Sequence, residues 1–246
     1  MSEGGKILAG IVRELTKKVK PGVATEELDR LAESLIFSAK GGSASGGKST
    51  IQCSFKGHQG YPNCLCASIN EEIVHAVPSA RRLLEGDIIS LDLGIFYKGY
   101  HTDMAITLPV GKISPAAKNL IKVTKKALEL GVKEVRPGNY FGDISFAIQK
   151  YVESQGFNAV KELCGHGIGK NLHEDPEILN YGKIGTGPKI KEGMAFCLEP
   201  MVTAGDWRIK KSQDGHGWET NDGSLSAHFE HTIVVTKSGA EILTVI

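Results

Sequence analysis

The sequence of 246 residues is short of several things. No apolar run approaches the ~18 residues that a membrane span needs, so no membrane partner is expected. Neither sign of charge is in excess, with 29 Lys and Arg against 28 Asp and Glu and a formal net charge of +1. That balance argues against specific nucleic-acid binding as the main task. The local cluster of Lys17, Lys18 and Lys20 reads as a solvated helix face. Met1 to Gly10 is polar and Gly-rich, without an apolar core leading to a cleavage site, so no signal peptide is expected. The five cysteines (Cys53, Cys64, Cys66, Cys164, Cys197) form no paired CxxC frame and read as reduced thiols of a cytosolic protein. Cys64 and Cys66 lack the second pair of ligands that a zinc site requires.

What is present is an alternation of helix and strand patterns. Ile7, Ile11 and Leu15 share a helix face before Pro21-Gly22, and Leu28, Leu31 and Leu35 stripe a second helix that Thr25 can cap. Gly41 to Thr50 reads as a loop, and β patterns follow to Val110, clearest at Ile88–Leu93 and Ala105–Leu108. Ser114-Pro115 opens a third helix, and a fourth runs from about Gly142 to Ser154. The second half echoes the first. Val135-Arg136-Pro137-Gly138 repeats the pattern of Val19-Lys20-Pro21-Gly22. Asp92 and Glu199 each stand six residues after a Glu-Gly pair, at Gly86 and Gly193. Asp103 and Glu230 each stand three residues before an apolar strand segment, at Ile106 and Ile233. Four echoes in one order point to an internal duplication. One catalytic domain, residues 1–246, is expected, made of pseudo-symmetric halves at about 1–110 and 111–246.

Asp92 lies in the otherwise apolar run Ile88-Ile89-Ser90-Leu91-Asp92-Leu93, where a lone carboxylate would be expensive to bury. A hairpin turning around Phe96 to Gly99 with a two-residue loop puts Asp103 on the same sheet face. Two carboxylates there need a proton or a cation between them. Glu199 ends a further apolar run, Glu230 precedes the last strand, and His166 sits among glycines. Four carboxylates and one imidazole make a hard set, suited to Mn²⁺, Fe²⁺, Co²⁺ or Zn²⁺ and large enough for two ions and a shared water.

The segments Gly60-Tyr61-Pro62-Asn63, Ser68-Ile69-Asn70-Glu71, Val74-His75-Ala76-Val77-Pro78, Asp92 with Gly99-Tyr100-His101-Thr102-Asp103, Gly165-His166-Gly167-Ile168-Gly169 with Leu172-His173-Glu174, Leu198-Glu199-Pro200-Met201 and Phe229-Glu230-His231-Thr232 run in order across nearly the whole chain. In these the sequence resembles the short, type I methionine aminopeptidases. The resemblance implies the duplicated "pita-bread" α/β (α+β) fold, a central antiparallel-rich sheet with helices on its outer face. It implies a dimetal site in which Asp92 chelates one divalent ion, Asp103 and Glu230 bridge both, and His166 and Glu199 complete the other. A water shared by the ions attacks the carbonyl after the N-terminal methionine, and Glu199 carries its proton to the leaving amine. His75 and His173 hydrogen-bond the substrate, while Tyr61, Cys66 and Trp218 line the pocket for the methionine side chain. Phe55, His58 and Leu172 depart from common family residues and reshape that pocket. Asn70 and Ser226 match a monovalent-cation site. The same resemblance implies nascent-chain N-termini with a small second residue as substrate, the ribosome as a working site, the cytoplasm as location and a monomer as the functional unit.

Three other readings stand beside this one, among them a non-catalytic binding module on the same fold. Gly42 to Ser49 satisfies the phosphate-loop pattern GxxxxGK[ST] of nucleotide-binding proteins, although a helix precedes it and a strand pattern follows. An aminopeptidase or dipeptidase acting at X-Pro bonds would share the fold and the ligands.

Overall fold

A computed structural model describes residues 1–39 and 51–246 of the chain. The Gly–Ser loop and the phosphate-loop pattern Gly42 to Ser49 lie outside the described residues. Helices α1 (Ser2–Thr16) and α2 (Thr25–Ser38) open the chain. Strands β1 (Ile51–Cys53), β2 (Leu65–Ile69) and β3 (Glu72–Val74) lead to the long hairpin of β4 (Ile88–Tyr97) and β5 (Tyr100–Pro109). Helices α3 (Pro115–Glu134) and α4 (Phe141–Ser154) follow. The remaining strands are β6 (Asn158–Ala159), β7 (Cys164–Gly167), β8 (Glu174–Leu179), β9 (Ala195–Leu198), β10 (Met201–Thr203), β11 (Ile209–Lys211), β12 (Trp218–Thr220), β13 (Ser226–His228), β14 (His231–Thr236) and β15 (Gly239–Ile242). Among the described residues no helix is long and apolar enough to cross a membrane.

The ladders are antiparallel. One edge of β4 pairs with β5, and the other is shared end to end by β2 and β1. A second sheet runs β15-β14-β9-β7-β8. The helices cover these sheets with their apolar stripes. Leu8, Val12, Leu28 and Ile36 meet Ile51, Leu65 and Ile89, while Leu120, Ala127, Ile144 and Ile148 meet Phe196, Leu198 and Ile233. Each fully buried side chain of this size contributes about 1.5–3 kcal/mol, which fixes the helices on the outer face.

Ser114 caps α3 as its sequence suggests, its Oγ accepting from the Ala117 amide at 3.1 Å. Thr25 does not cap α2. Ala24 holds that position, bridged in extended form to Arg82, and the Glu27 carboxylate accepts from the Ala24 amide at 3.3 Å. The Thr25 hydroxyl instead donates to the Ser79 carbonyl.

The reduced-thiol reading fails at one pair. Cys53 and Cys64 form a disulfide, with Cα atoms 5.3 Å apart. The cause lies in the ladder: Cys53 opposes Ile95 and Leu65 opposes Leu93, so the end of β1 and the start of β2 meet along one edge of β4. Cys66, Cys164 and Cys197 are free thiols.

A clasp recurs, once in residues 1–110 and once in residues 111–246. In the first, the Gly22 amide donates to the Leu83 carbonyl at 2.7 Å and Ala24 bridges Arg82; in the second, the Gly138 amide donates to the Ile190 carbonyl at 3.0 Å and Tyr140 bridges Lys189. Both glycines have left-handed backbone, φ +90° and +99°, which a side chain would strain. The halves meet where β5 runs against the segment 228–232. Thr232 Oγ1 accepts from the Asp103 amide and donates to the Asp103 carbonyl, both at 2.8 Å. Thr107 Oγ1 does the same for the amide and carbonyl of His228, both at 2.8 Å. Between them the Glu230 amide donates directly to the Ala105 carbonyl at 2.9 Å.

Candidate metal centre

That seam delivers two carboxylates to one place. In the hairpin, Asp92 opposes Ala105 and Asp103 opposes Gly94, so both project from one face. Glu230 emerges beside them between β13 and β14. Glu199 follows β9, its backbone carbonyl accepting from Asn180 Nδ2 at 3.2 Å. His166 rides on β7, which lies so close to β9 that a Cβ at Gly165 would stand 2.4 Å from the Cys197 carbonyl oxygen. Glycine is therefore required there for His166 to reach the site.

His166 Nδ1–H donates to the Gly167 carbonyl at 2.9 Å, which leaves a lone pair on Nε2. That nitrogen lies 3.5 Å from Glu199 Oε1. One ligand atom from each of Asp103, His166, Cys197 and Glu230 lies within 4.8 Å of the others. Asp92, Asp103 and Glu230 each bury one carboxylate oxygen that finds no hydrogen-bond partner among the described residues.

The electrostatics follow from this crowding. Burial raises the pKa of Asp103 to about 7. Asp92 is raised by burial and then by Asp103 and Glu199, and Glu199 by burial and then by Asp103. Glu230 is raised by burial, then by Asp103, Glu199 and Asp92. Burial holds His166 neutral, its pKa lowered to about 4. Buried carboxylates with unpartnered oxygens and an imidazole lone pair aimed among them fit divalent cations, which would neutralise the repulsion and occupy the free lone pairs.

A cavity of about 1070 Å³ opens above this floor and is also lined by His75, His173, Tyr61, Cys66 and Trp218. Every residue expected from the sequence to serve the divalent ions, and those expected to touch the substrate, thus face one space. His75 adopts φ +60° at the end of β3, a left-handed conformation that costs of order 1–3 kcal/mol and concentrates at functional sites. Its ring is solvent-accessible at the cavity wall, and partial desolvation by the atoms around it lowers its pKa to about 4, with further contributions from His173, Lys211 and His216. Desolvation and His166 hold His173 near the same value. The His173 ring stands edge-on to that of His166 with centroids 4.3 Å apart. The Tyr61 hydroxyl shares its proton between the Leu65 and Ala76 carbonyls, 3.0 Å away each. Cys66 opposes Asp92 across β2 and β4, and Trp218 opposes Val74 across β12 and β3. Asn70 and Ser226 also meet, the Ser226 amide donating to the Asn70 carbonyl at 2.7 Å. Phe55, His58 and Leu172 all line the cavity.

Comparison with known proteins accords with this geometry. The sequence pattern of metallopeptidase family M24 matches residues 1–237. The chain belongs to metallopeptidase family M24. Methionine aminopeptidase 1 of Bacillus subtilis (strain 168) is 46% identical over 244 residues, covering 99% of this chain and 94% of that protein. The solved methionine aminopeptidase from Rickettsia prowazekii superposes with a TM-score of 0.94 at 39% identity, over 99% of this chain and 95% of that one. The Xaa-Pro dipeptidase from Bacillus anthracis, at 23% identity and a TM-score of 0.73, shares the fold and covers 99% of this chain but 59% of its own.

Within this M24 centre the structure adds one residue and one contact that the sequence does not announce. Cys197 lies among the ligands, but burial and then Glu230 and Asp103 raise its pKa. It remains a thiol, its Sγ 3.8 Å from Thr232 Oγ1, rather than a thiolate ligand. Its position on β9, two residues before Glu199, was the available signal. His58 Nε2 lies 3.1 Å from His173 Nδ1, a bond that orients the His173 ring. Nothing in the spacing, 115 residues, marks that pair.

Proposed function

We propose that this M24 protein is a methionine aminopeptidase that removes the N-terminal methionine from nascent polypeptides with a small second residue. Asp92, Asp103, His166, Glu199 and Glu230 would hold two divalent ions of the Co²⁺, Mn²⁺, Fe²⁺ or Zn²⁺ class. Such ions supply Lewis-acid polarisation of the scissile carbonyl and acidify a water. The side chains perform the proton transfers and the positioning. Glu199 takes the proton of the attacking water and passes it to the leaving amine. His75 and His173, kept neutral by their surroundings, hydrogen-bond the substrate beside the scissile amide and steady the developing oxyanion. Tyr61, Cys66 and Trp218 enclose the methionine side chain, where aromatic faces and a soft thiol suit a thioether. Asn70 and Ser226 hold a monovalent cation. The chain works as one unit of two related halves, as a monomer, in the cytoplasm beside the ribosome.

The observation that carries this reading is the convergence of the buried carboxylates, His166, His75 and His173 on one cavity, in a chain 46% identical to a methionine aminopeptidase. Metal analysis together with peptide cleavage tests it. Release of methionine from Met-Ala-Ser, slow release from Met-Leu and inertness toward Ala-Pro are expected. Preferential cleavage of Xaa-Pro peptides would move the protein to the proline-directed branch. Peptide binding without cleavage by the metal-loaded protein would make it a binding module.

A further inference from the structure

His228 is a buried polar residue with no part in the site so far. It ends β13 at 1% exposure, and both ring nitrogens lack a hydrogen-bond partner among the described residues. A desolvated imidazole without partners is costly, and such groups in folded proteins call for a reason. Its backbone is pinned, since Thr107 bonds both its amide and its carbonyl. Its direction follows from the register: His228 opposes Met201 across β13 and β10, so the two share a face, and Met201 lines the cavity. The ring therefore lies beneath the cavity floor, where Nε2 comes within 3.8 Å of Glu199 Oε2.

Glu199 is thus flanked by two imidazoles, His166 at Oε1 and His228 at Oε2. They are not equivalent. His166 gives its N–H to the Gly167 carbonyl and turns a lone pair toward Glu199. The Nδ1 of His228 has no acceptor among the described residues, so the single N–H of a neutral ring is free to sit on Nε2.

We propose that His228 is the positioning residue of Glu199, its Nε2–H directed at Oε2 across 3.8 Å as an electrostatic contact that keeps Oε1 beside His166 for the divalent ion. The inference rests on the role given to Glu199 above. A carboxylate held at one oxygen swings about its terminal torsion; one held at both keeps its orientation through the proton transfer.

Two substitutions separate the donor from the bulk. H228Q keeps an N–H at similar reach, and H228L keeps volume without it. H228L is expected to lose about 10- to 100-fold in kcat with KM within about 2-fold, and to lose Mn²⁺ affinity by a similar factor in calorimetric titration of the metal-free protein. H228Q is expected to stay within about 3-fold of the parent in both. H228L with parental kcat and Mn²⁺ affinity, or H228Q as impaired as H228L at equal Tm, would overturn the proposal. Should H228L fail to fold, ¹⁵N NMR of the His228 ring in the parent protein decides: a proton on Nε2 supports the assignment and a proton on Nδ1 ends it. If the parent releases no methionine, the aminopeptidase reading fails, while Mn²⁺ affinity and the ring proton still judge His228.

Discussion

The carboxylates at the bottom of the cavity and the imidazoles around its mouth stand on different kinds of backbone. Asp92 and Asp103 ride on the ten-residue strands of one hairpin, and Glu230 is tied by its amide to Ala105 in the same hairpin. His58 lies in a short 3-10 turn, His75 in a left-handed residue after β3, and His173 in the bend before β8. The floor gains its order from ladders that bury whole strands. The rim gains its order from a few side-chain contacts, such as His58 with His173 at 3.1 Å. Chemistry that needs fixed charges therefore occupies the rigid layer, and contacts that must admit differing peptides occupy the adaptable one.

The most direct way to break this comparison is at the floor. Asp103→Asn or Glu199→Ala should reduce kcat by about 10³-fold or more with the fold retained. Circular dichroism and a methionine-release assay check this, and an undiminished rate in either variant would refute the assigned roles. At the rim, His173→Ala should lower kcat/KM by about 10²-fold while leaving the metal content measured by atomic emission unchanged. A loss of metal there would erase the distinction between the layers. On the wall, Trp218→Leu should raise KM for Met-Ala-Ser by about 10-fold, the weight of a modest apolar contact, with kcat nearly kept. At the seam, Thr232→Val leaves the Asp103 amide buried and unpaired, which costs about 1–3 kcal/mol and should appear as a lower Tm.

The mildest test changes no residue. In the metal-free protein the Asp103 carboxyl titrates at about 7 against an ordinary value of 3.8. A raised carboxyl binds protons more readily folded than unfolded. Its contribution to stability is complete below the unfolded value and is lost as pH climbs through the folded one. Chelated protein should therefore melt at falling temperature from about pH 5 to about pH 8. Saturating Mn²⁺ should flatten that slope and add about 3–4 kcal/mol at 100 to 1000 times its Kd.

The same contrast decides what the sequence made legible. The hairpin register was readable because Asp92 interrupts an apolar run and a two-residue turn allows one face for Asp103. The strands themselves run longer than their apolar cores, since backbone pairing continues through Gly94, His101 and Thr102. The Cys53–Cys64 bond was not readable, because the two residues meet only through separate registers against β4. His58 on His173 and His228 beneath Glu199 were equally hidden. Each is a contact between elements distant in sequence, with no periodicity to announce it. Thr25 misled because a good capping residue stood next to an alanine whose conformation is set by Arg82.

The threonine seam has a mechanical consequence. Where β5 meets the segment 228–232, the main chains bond directly at Ala105 and Glu230, and on either side a hydroxyl is interposed. Thr107 and Thr232 thus act as spacers of one atom's width, setting the gap between the halves as shims set the gap between two plates. The separation of Asp103 from Glu230 is then set by main-chain and hydroxyl contacts outside the cavity. The turns that carry His58, His75 and His173 lie outside this seam, so a shift in them leaves that spacing unchanged.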